Sequence, residues 1–167
     1  MLPIPSGIYS TFLDLDPQKL ADRGVKLVLA DLDNTLVPYG EPLPSQSVIE
    51  WNKALQSVGI SLFILSNSRR SGRVEKFAEG LDVPYQGWSG KPRRRGYLAA
   101  MERMGATPEQ TVMVGDQIFT DILGAVRSGV TPLLLTPVTL SGNVGRYLRY
   151  HVLEAPFRHL AKGRNFI

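Results

Sequence analysis

The run Leu27-Val28-Leu29-Ala30 is apolar at every position, and no polar alternation breaks it. A short run of this kind reads as a strand covered on both faces, which is the signature of a parallel sheet. Similar runs recur along the chain, giving strand candidates at 26–31, 60–65, 83–85, 111–115 and 131–135. Helical patterns lie between them, near 45–58, 71–81, 92–104 and 118–128. In the third, Tyr97, Leu98, Met101 and Met104 recur at helical spacing. This alternation predicts an α/β fold: a Rossmann-like three-layer α/β/α sandwich around a mainly parallel, five-stranded sheet with right-handed crossovers. With 167 residues the chain is long enough for one domain with a substantial core.

The first strand ends in Asp31-Leu32-Asp33-Asn34-Thr35-Leu36. Open α/β sheets bind ligands at the carboxyl ends of their strands. Residues i and i+2 of an extended segment share a side, so both carboxylates can face one cavity. Two close carboxylates repel, and a dication between them relieves the repulsion. Three further segments fall where metal-dependent phosphoryl transfer would need them. Strand 60–65 ends in Ser66-Asn67-Ser68, whose hydroxyl and amides could bind phosphate oxygens. Lys91, in Gly90-Lys91-Pro92, precedes a helix and could neutralise both phosphate and a nucleophilic carboxylate. Val112-Met113-Val114 runs into Gly115-Asp116, and Asp121 follows. Each piece alone fits a cap, a turn or a surface lysine. All four in this order point to one site.

On these residues the chain resembles the haloacid dehalogenase superfamily. Asp31-Leu32-Asp33-Asn34-Thr35 is similar to its first motif, Ser66-Asn67 to the second, Lys91 to the third and Gly115-Asp116 through Asp121 to the fourth. The resemblance implies that Asp31 is a nucleophile forming an aspartyl-phosphate and that Asp33 is the acid and then the base. It implies Mg²⁺ held by the Asp31 carboxylate, the Asp33 carbonyl and Asp116. It gives Ser66 and Lys91 the phosphate, and Asp121 the metal waters or the orientation of Lys91. Asn67 would lie near the leaving group, and Thr35 would steady the loop. Arg69 and Arg70 follow the second motif directly and are expected as secondary phosphate contacts.

Phe63 comes only 30 positions after Asp33, and 23 residues lie between Asn67 and Lys91. Neither interval has room for a cap domain, so an open site is expected, with Val37–Pro42 as at most a small flap. More narrowly, the chain resembles the capless subclass IIIA in its YqeG-like branch. Eukaryotic relatives in that branch are phosphatidylglycerophosphate phosphatases, which implies a lipid headgroup as substrate.

Charge distribution is compatible with that. The net charge of +4 is uneven: residues 69–95 carry eight Lys/Arg against three acids, and 143–167 carry five against one. Such stretches suit an anionic lipid surface, or simply water. Nucleic acid ranks lower as a partner, because few aromatic residues interleave with the basic ones. Residues 143–153 read as a helix. Residues 1–20, rich in Pro with scattered apolar side chains, are expected to pack on the domain or on a partner. The absence of cysteine excludes disulfides, thiolate metal sites and thiol nucleophiles. With no signal-like start and no spanning apolar run, a cytoplasmic protein with peripheral membrane contact is expected. Two other readings compete: a phosphatase for a soluble nucleotide or sugar phosphate, and a non-catalytic binding protein on the same fold.

Overall fold

The structure, a computed structural model, describes residues 2–69, 71–139, 145 and 148–167, without the side chains of 71 and 149. Six strands form one sheet: β1 (Gly7–Tyr9), β2 (Leu27–Ala30), β3 (Ser61–Leu65), β4 (Tyr85–Gln86), β5 (Thr111–Gly115) and β6 (Thr131–Leu135). Their order is β1-β6-β5-β2-β3-β4, and every pairing is parallel. The helices are α1 (Pro17–Asp22), α2 (Gln46–Ser57), α3 (Ser71–Glu79), α4 (Arg94–Met104), α5 (Leu123–Ser128) and α6 (Ala155–Leu160).

The helices divide between the two faces as side-chain alternation along β2 requires. Val28 and Ala30 join a core cluster with Leu20 of α1, Trp51 and Leu55 of α2, and Val74 and Phe77 of α3. Leu27 and Leu29 point the other way, into a cluster with Tyr97 and Met101 of α4 and Ala125 of α5. Local signals start and stop these helices. Asp16 caps α1, accepting from the Lys19 N–H at 3.0 Å, with Pro17 in the first turn. Ser45 caps α2 through the Val48 N–H. α4 ends at Gly105 with φ 63°, where a side chain would be strained.

The expected three-layer α/β fold is present, with one correction: among the described residues the sheet has six strands, because the Pro-rich lead-in supplies β1. Gly7 to Tyr9 pair with Leu133 to Leu135 and cover what would otherwise be the free edge of β6. The rest of the lead-in packs beneath the sheet, where the Phe12 and Trp51 rings lie 5.2 Å apart and the Trp51 indole donates to the Leu15 carbonyl at 3.0 Å. The helix expected over 118–128 is a π turn (Ile118–Ile122) followed by α5. The helix expected over 143–153 falls partly outside the described residues; of the described ones, Gly145 and Leu148 are helical and Arg149–Leu153 form a π turn, and α6 follows. Among the described residues, neither the stretch from β2 to α2 nor that from β3 to α4 holds a cap domain. No helix among the described residues is long and apolar enough to cross a membrane.

Candidate active site

Sheet order places the site. From β2 the chain moves outward to β3 and β4, then returns to β5 on the other side of β2 and moves outward again to β6. The connections leaving β2 and β5 therefore diverge, and a crevice opens between them at their carboxyl ends. Ala30 is in register with Val114, and the Asp31 N–H donates to the Val114 carbonyl at 2.9 Å. Asp31 and Asp116 thus leave the sheet side by side.

Asp31 continues the face of Leu27 and Leu29, the side on which α4 packs. Lys91 stands just ahead of that helix. Its ammonium lies 2.8 Å from Asp31 Oδ1 and 2.7 Å from Asp121 Oδ1, and its side chain is only 1% exposed. Asn67 sets this geometry. Its Oδ1 accepts from the Lys91 N–H (2.8 Å) and the Ser89 hydroxyl (2.9 Å), while its Nδ2 donates to the Lys91 carbonyl (2.9 Å). The Asn67 amide is therefore engaged in bracing the lysine loop. Ser66 is buried at the end of β3, and its Oγ accepts from the Ser68 N–H at 3.1 Å.

Asp121 belongs to the π turn after β5. Its Oδ2 accepts from the Gln117 N–H (3.1 Å), and the Tyr97 hydroxyl donates to its carbonyl (3.0 Å). Burial and the nearby Asp121 and Asp31 carboxylates raise the Tyr97 pKa, which keeps that donor protonated. Gly115 makes the close approach possible, because a Cβ there would collide with the Asp121 carboxyl group.

Asp116 is 2% exposed, and its Oδ1 accepts from the Thr35 hydroxyl at 3.4 Å. Arg158 of α6 donates to the Asp116 carbonyl at 2.9 Å and pairs with Glu154 at 3.1 Å. Glu154, itself buried, accepts from the Ile118 N–H at 3.3 Å. The C-terminal helix thus grips the acidic turn from outside. Sequence reasoning missed these two residues: an i, i+4 acid–base pair looks like any solvated helix pair until its partners are known.

Asp33 has different neighbours. Arg73 of α3 grips its carboxylate with both guanidinium arms, one at 3.0 Å, and also donates through Nε to the Glu41 carbonyl at 3.0 Å. The Gly40 N–H donates to Asp33 Oδ1 at 3.3 Å. One arginine therefore ties the flap to Asp33. Arg69 is exposed, its guanidinium 5.1 Å from the centre of the Trp88 ring. Arg70 lies outside the described residues. Asp31, Asp33, Tyr39, Ser66–Arg69 and Gln117 line an open cleft of about 410 Å³.

Burial is the largest influence on Asp31 and raises its pKa to about 6, Lys91 pulling it down and Asp121 up. For Lys91, burial disfavours the charge, but Asp121 and Asp31 outweigh it and push the pKa up to about 12. The ammonium is therefore charged at any physiological pH. Oxygens of Asp31, Asp116 and Asp121 all lie within 4.8 Å of one another. Three buried carboxylates this close together repel one another, and their hard oxygen donors match a divalent cation. The residues fit such an ion.

An open parallel sheet with a buried Asp–Lys–Asp cluster at its switch point, and a third aspartate beside it, is a Rossmann-like α/β arrangement that could hold a cation and a phosphoryl group. The chain belongs to the haloacid dehalogenase-like hydrolase family, whose pattern matches residues 14–129. It is 35% identical over 147 residues to the probable phosphatase YqeG of Bacillus subtilis, covering 87% of this chain and 85% of that protein. A shorter similarity, 34% over 90 residues, links it to a glyceraldehyde 3-phosphate phosphatase of Methanothermobacter thermautotrophicus, covering 48% of this chain and 39% of that protein. Among solved structures, the cobalt-bound deoxy-D-mannose-octulosonate 8-phosphate phosphatase of Haemophilus influenzae shares the fold. The TM-score is 0.53 at 17% identity, covering 86% of this chain and 94% of that one. The protein is a phosphatase of this family and acts on a phosphorylated substrate.

Proposed function

We propose that the chain hydrolyses phosphatidylglycerophosphate to phosphatidylglycerol through an aspartyl-phosphate on Asp31, with Mg²⁺ as its cation. One observation carries the chemistry: the Asp31 carboxylate stands in the open cleft, 2.8 Å from a buried, permanently charged lysine. In the first half-reaction an Asp31 oxygen bonds to phosphorus as the bond to the leaving oxygen breaks, and Asp33 delivers the proton that oxygen needs. In the second, Asp33 takes a proton from the attacking water, phosphorus parts from Asp31, and inorganic phosphate leaves. Lys91 and Ser66 hold the phosphoryl oxygens. Asp31 and Asp116, with the Asp33 carbonyl and Asp121 alongside, would hold the divalent cation, which screens the repulsion between nucleophile and phosphate.

Three features support the lipid substrate. The chain resembles the YqeG-like branch, whose eukaryotic members act on this lipid. The cleft has no cap to enclose a small metabolite. Tyr39, Leu43 and Trp88 are 62%, 63% and 66% exposed. Apolar and aromatic tips among basic residues suit peripheral contact with an anionic membrane.

The test is phosphate release from phosphatidylglycerophosphate in mixed micelles with Mg²⁺, beside a panel of nucleotide and sugar phosphates. Asp31→Asn is the control and should abolish release from every substrate while the fold persists. Turnover of the soluble panel without the lipid would replace the lipid assignment with the metabolite one. Unchanged turnover by the variant would remove Asp31 as nucleophile.

A further inference from the structure

A basic recess beside the cleft plays no part in the chemistry above. Arg93 and Arg95 line it with Gln86, Trp88, Ser89 and Gly90, and its volume is about 330 Å³. Both arginines are exposed, and neither guanidinium has a hydrogen-bond or ion-pair partner among the described residues. Arg93 occupies the N-cap position of α4 without a side-chain cap bond, so it adds its charge where the helix already presents N–H groups.

Recess and cleft share a wall. The Trp88 N–H donates to the Ser68 carbonyl at 3.3 Å and the Ser89 N–H to the Ser66 carbonyl at 3.0 Å, while Ser66 to Arg69 line the cleft and Trp88 and Ser89 the recess. Trp88 holds φ 52°, a conformation that costs a bulky residue energy and persists only where the surroundings impose it. Its ring lies beneath Arg69, so a third guanidinium stands at the boundary between the two hollows. Lys91 follows Gly90 directly. The ammonium that pairs with Asp31 thus belongs to the residue next to the wall of the recess.

We propose that the recess is a subsite for a second anionic group of the substrate, a phosphodiester or phosphate a few bonds from the one removed. Planar guanidiniums with free donors suit such an oxyanion, which would pair with Arg93 and Arg95 while Arg69 and Trp88 border its path. This inference rests on the phosphatase reading and adds a determinant of specificity to it.

The experiment compares kcat/KM for sn-glycerol 3-phosphate, for soluble glycerophosphoglycerophosphate, for phosphatidylglycerophosphate in neutral mixed micelles and on anionic vesicles, and for a nucleoside 3′,5′-bisphosphate. Wild type and the R93Q/R95Q double variant are assayed side by side. The expected result is a preference for two-anion over one-anion substrates that falls about tenfold in the variant, mainly through KM. A preference unchanged for every two-anion probe would overturn the subsite. So would a loss confined to lipid on anionic vesicles, because the arginines would then be reading the surface. If neither lipid nor soluble headgroup is cleaved but the bisphosphate shows the arginine-dependent preference, the subsite stands and the lipid substrate falls.

Discussion

Asp31 and Asp33 stand two residues apart, yet their carboxylates are held by different parts of the molecule. Asp31 faces an ammonium buried between α4 and the turn after β5, and the two carboxylates that hold that ammonium, Asp31 and Asp121, are themselves buried. Asp33 faces an arginine on α3, and the same arginine holds the flap by a single carbonyl. The surroundings of Asp31, the proposed nucleophile, are preset and nearly buried. Asp33, the proposed acid–base residue, is held by an arginine that also holds the flap. Nucleophilic attack needs fixed geometry, whereas proton delivery to one oxygen and later removal from another needs some freedom.

The largest way to break this contrast is at Lys91. Lys91→Met should lower kcat at least a thousandfold and, by leaving buried carboxylates without their ammonium, destabilise the fold by about 3–5 kcal/mol at neutral pH. The Lys91 contribution to stability is present below 10.5 and lost only as pH rises through about 12, so wild type has it at every pH tested. The deficit should narrow towards pH 5, where Asp31 protonates, and a denaturant titration at two pH values measures it. An equal deficit at both would mean that packing, not charge, is what was lost.

A smaller effect is expected on the Asp33 side. Arg73→Gln should reduce kcat about tenfold to a hundredfold and shift the pH–rate profile, with a stability change of about 1 kcal/mol or less. Arg73→Lys, which keeps the charge but not the fork, should recover only part of the rate. A large loss of stability with an unaltered pH profile would make Arg73 a scaffold residue.

The smallest effect tests the cation. Burial raises the Asp31 pKa from 3.8 to about 6. Its contribution to stability is therefore fully present below 3.8 and lost as pH rises through about 6. A divalent ion among the carboxylates offsets that loss, so Mg²⁺ should raise Tm by a few degrees at pH 7.5 and by less at pH 5. Equal shifts at both, read by scanning calorimetry, would place the ion elsewhere.

Much of this was legible in the sequence where one segment carries its own evidence. The apolar run 27–30 followed by Asp31 announces a buried strand with an acid at its end, and the layered fold follows from repeating that pattern. β1 was not legible: three residues have no periodicity to detect, and what makes them a strand is the open edge of β6. Asn67 shows the same limit at the site. Beside Ser66 it reads as a residue near the leaving group; that its amide braces Lys91, 24 positions on, has no sign in the sequence. The pairing of Asp33 with Arg73 crosses 40 positions, and that of Asp116 with Arg158 crosses 42. Charge runs reveal that arginines are present but not which of them find a carboxylate or a carbonyl.

Gly115 carries a consequence out of proportion to its size. Adding one methyl group there would press on the Asp121 carboxyl and push it off the lysine it faces. A damaging small change therefore need not fall on a charged residue at all. A residue with no chemistry of its own keeps Asp121 and Lys91 at their observed separation by leaving a space empty.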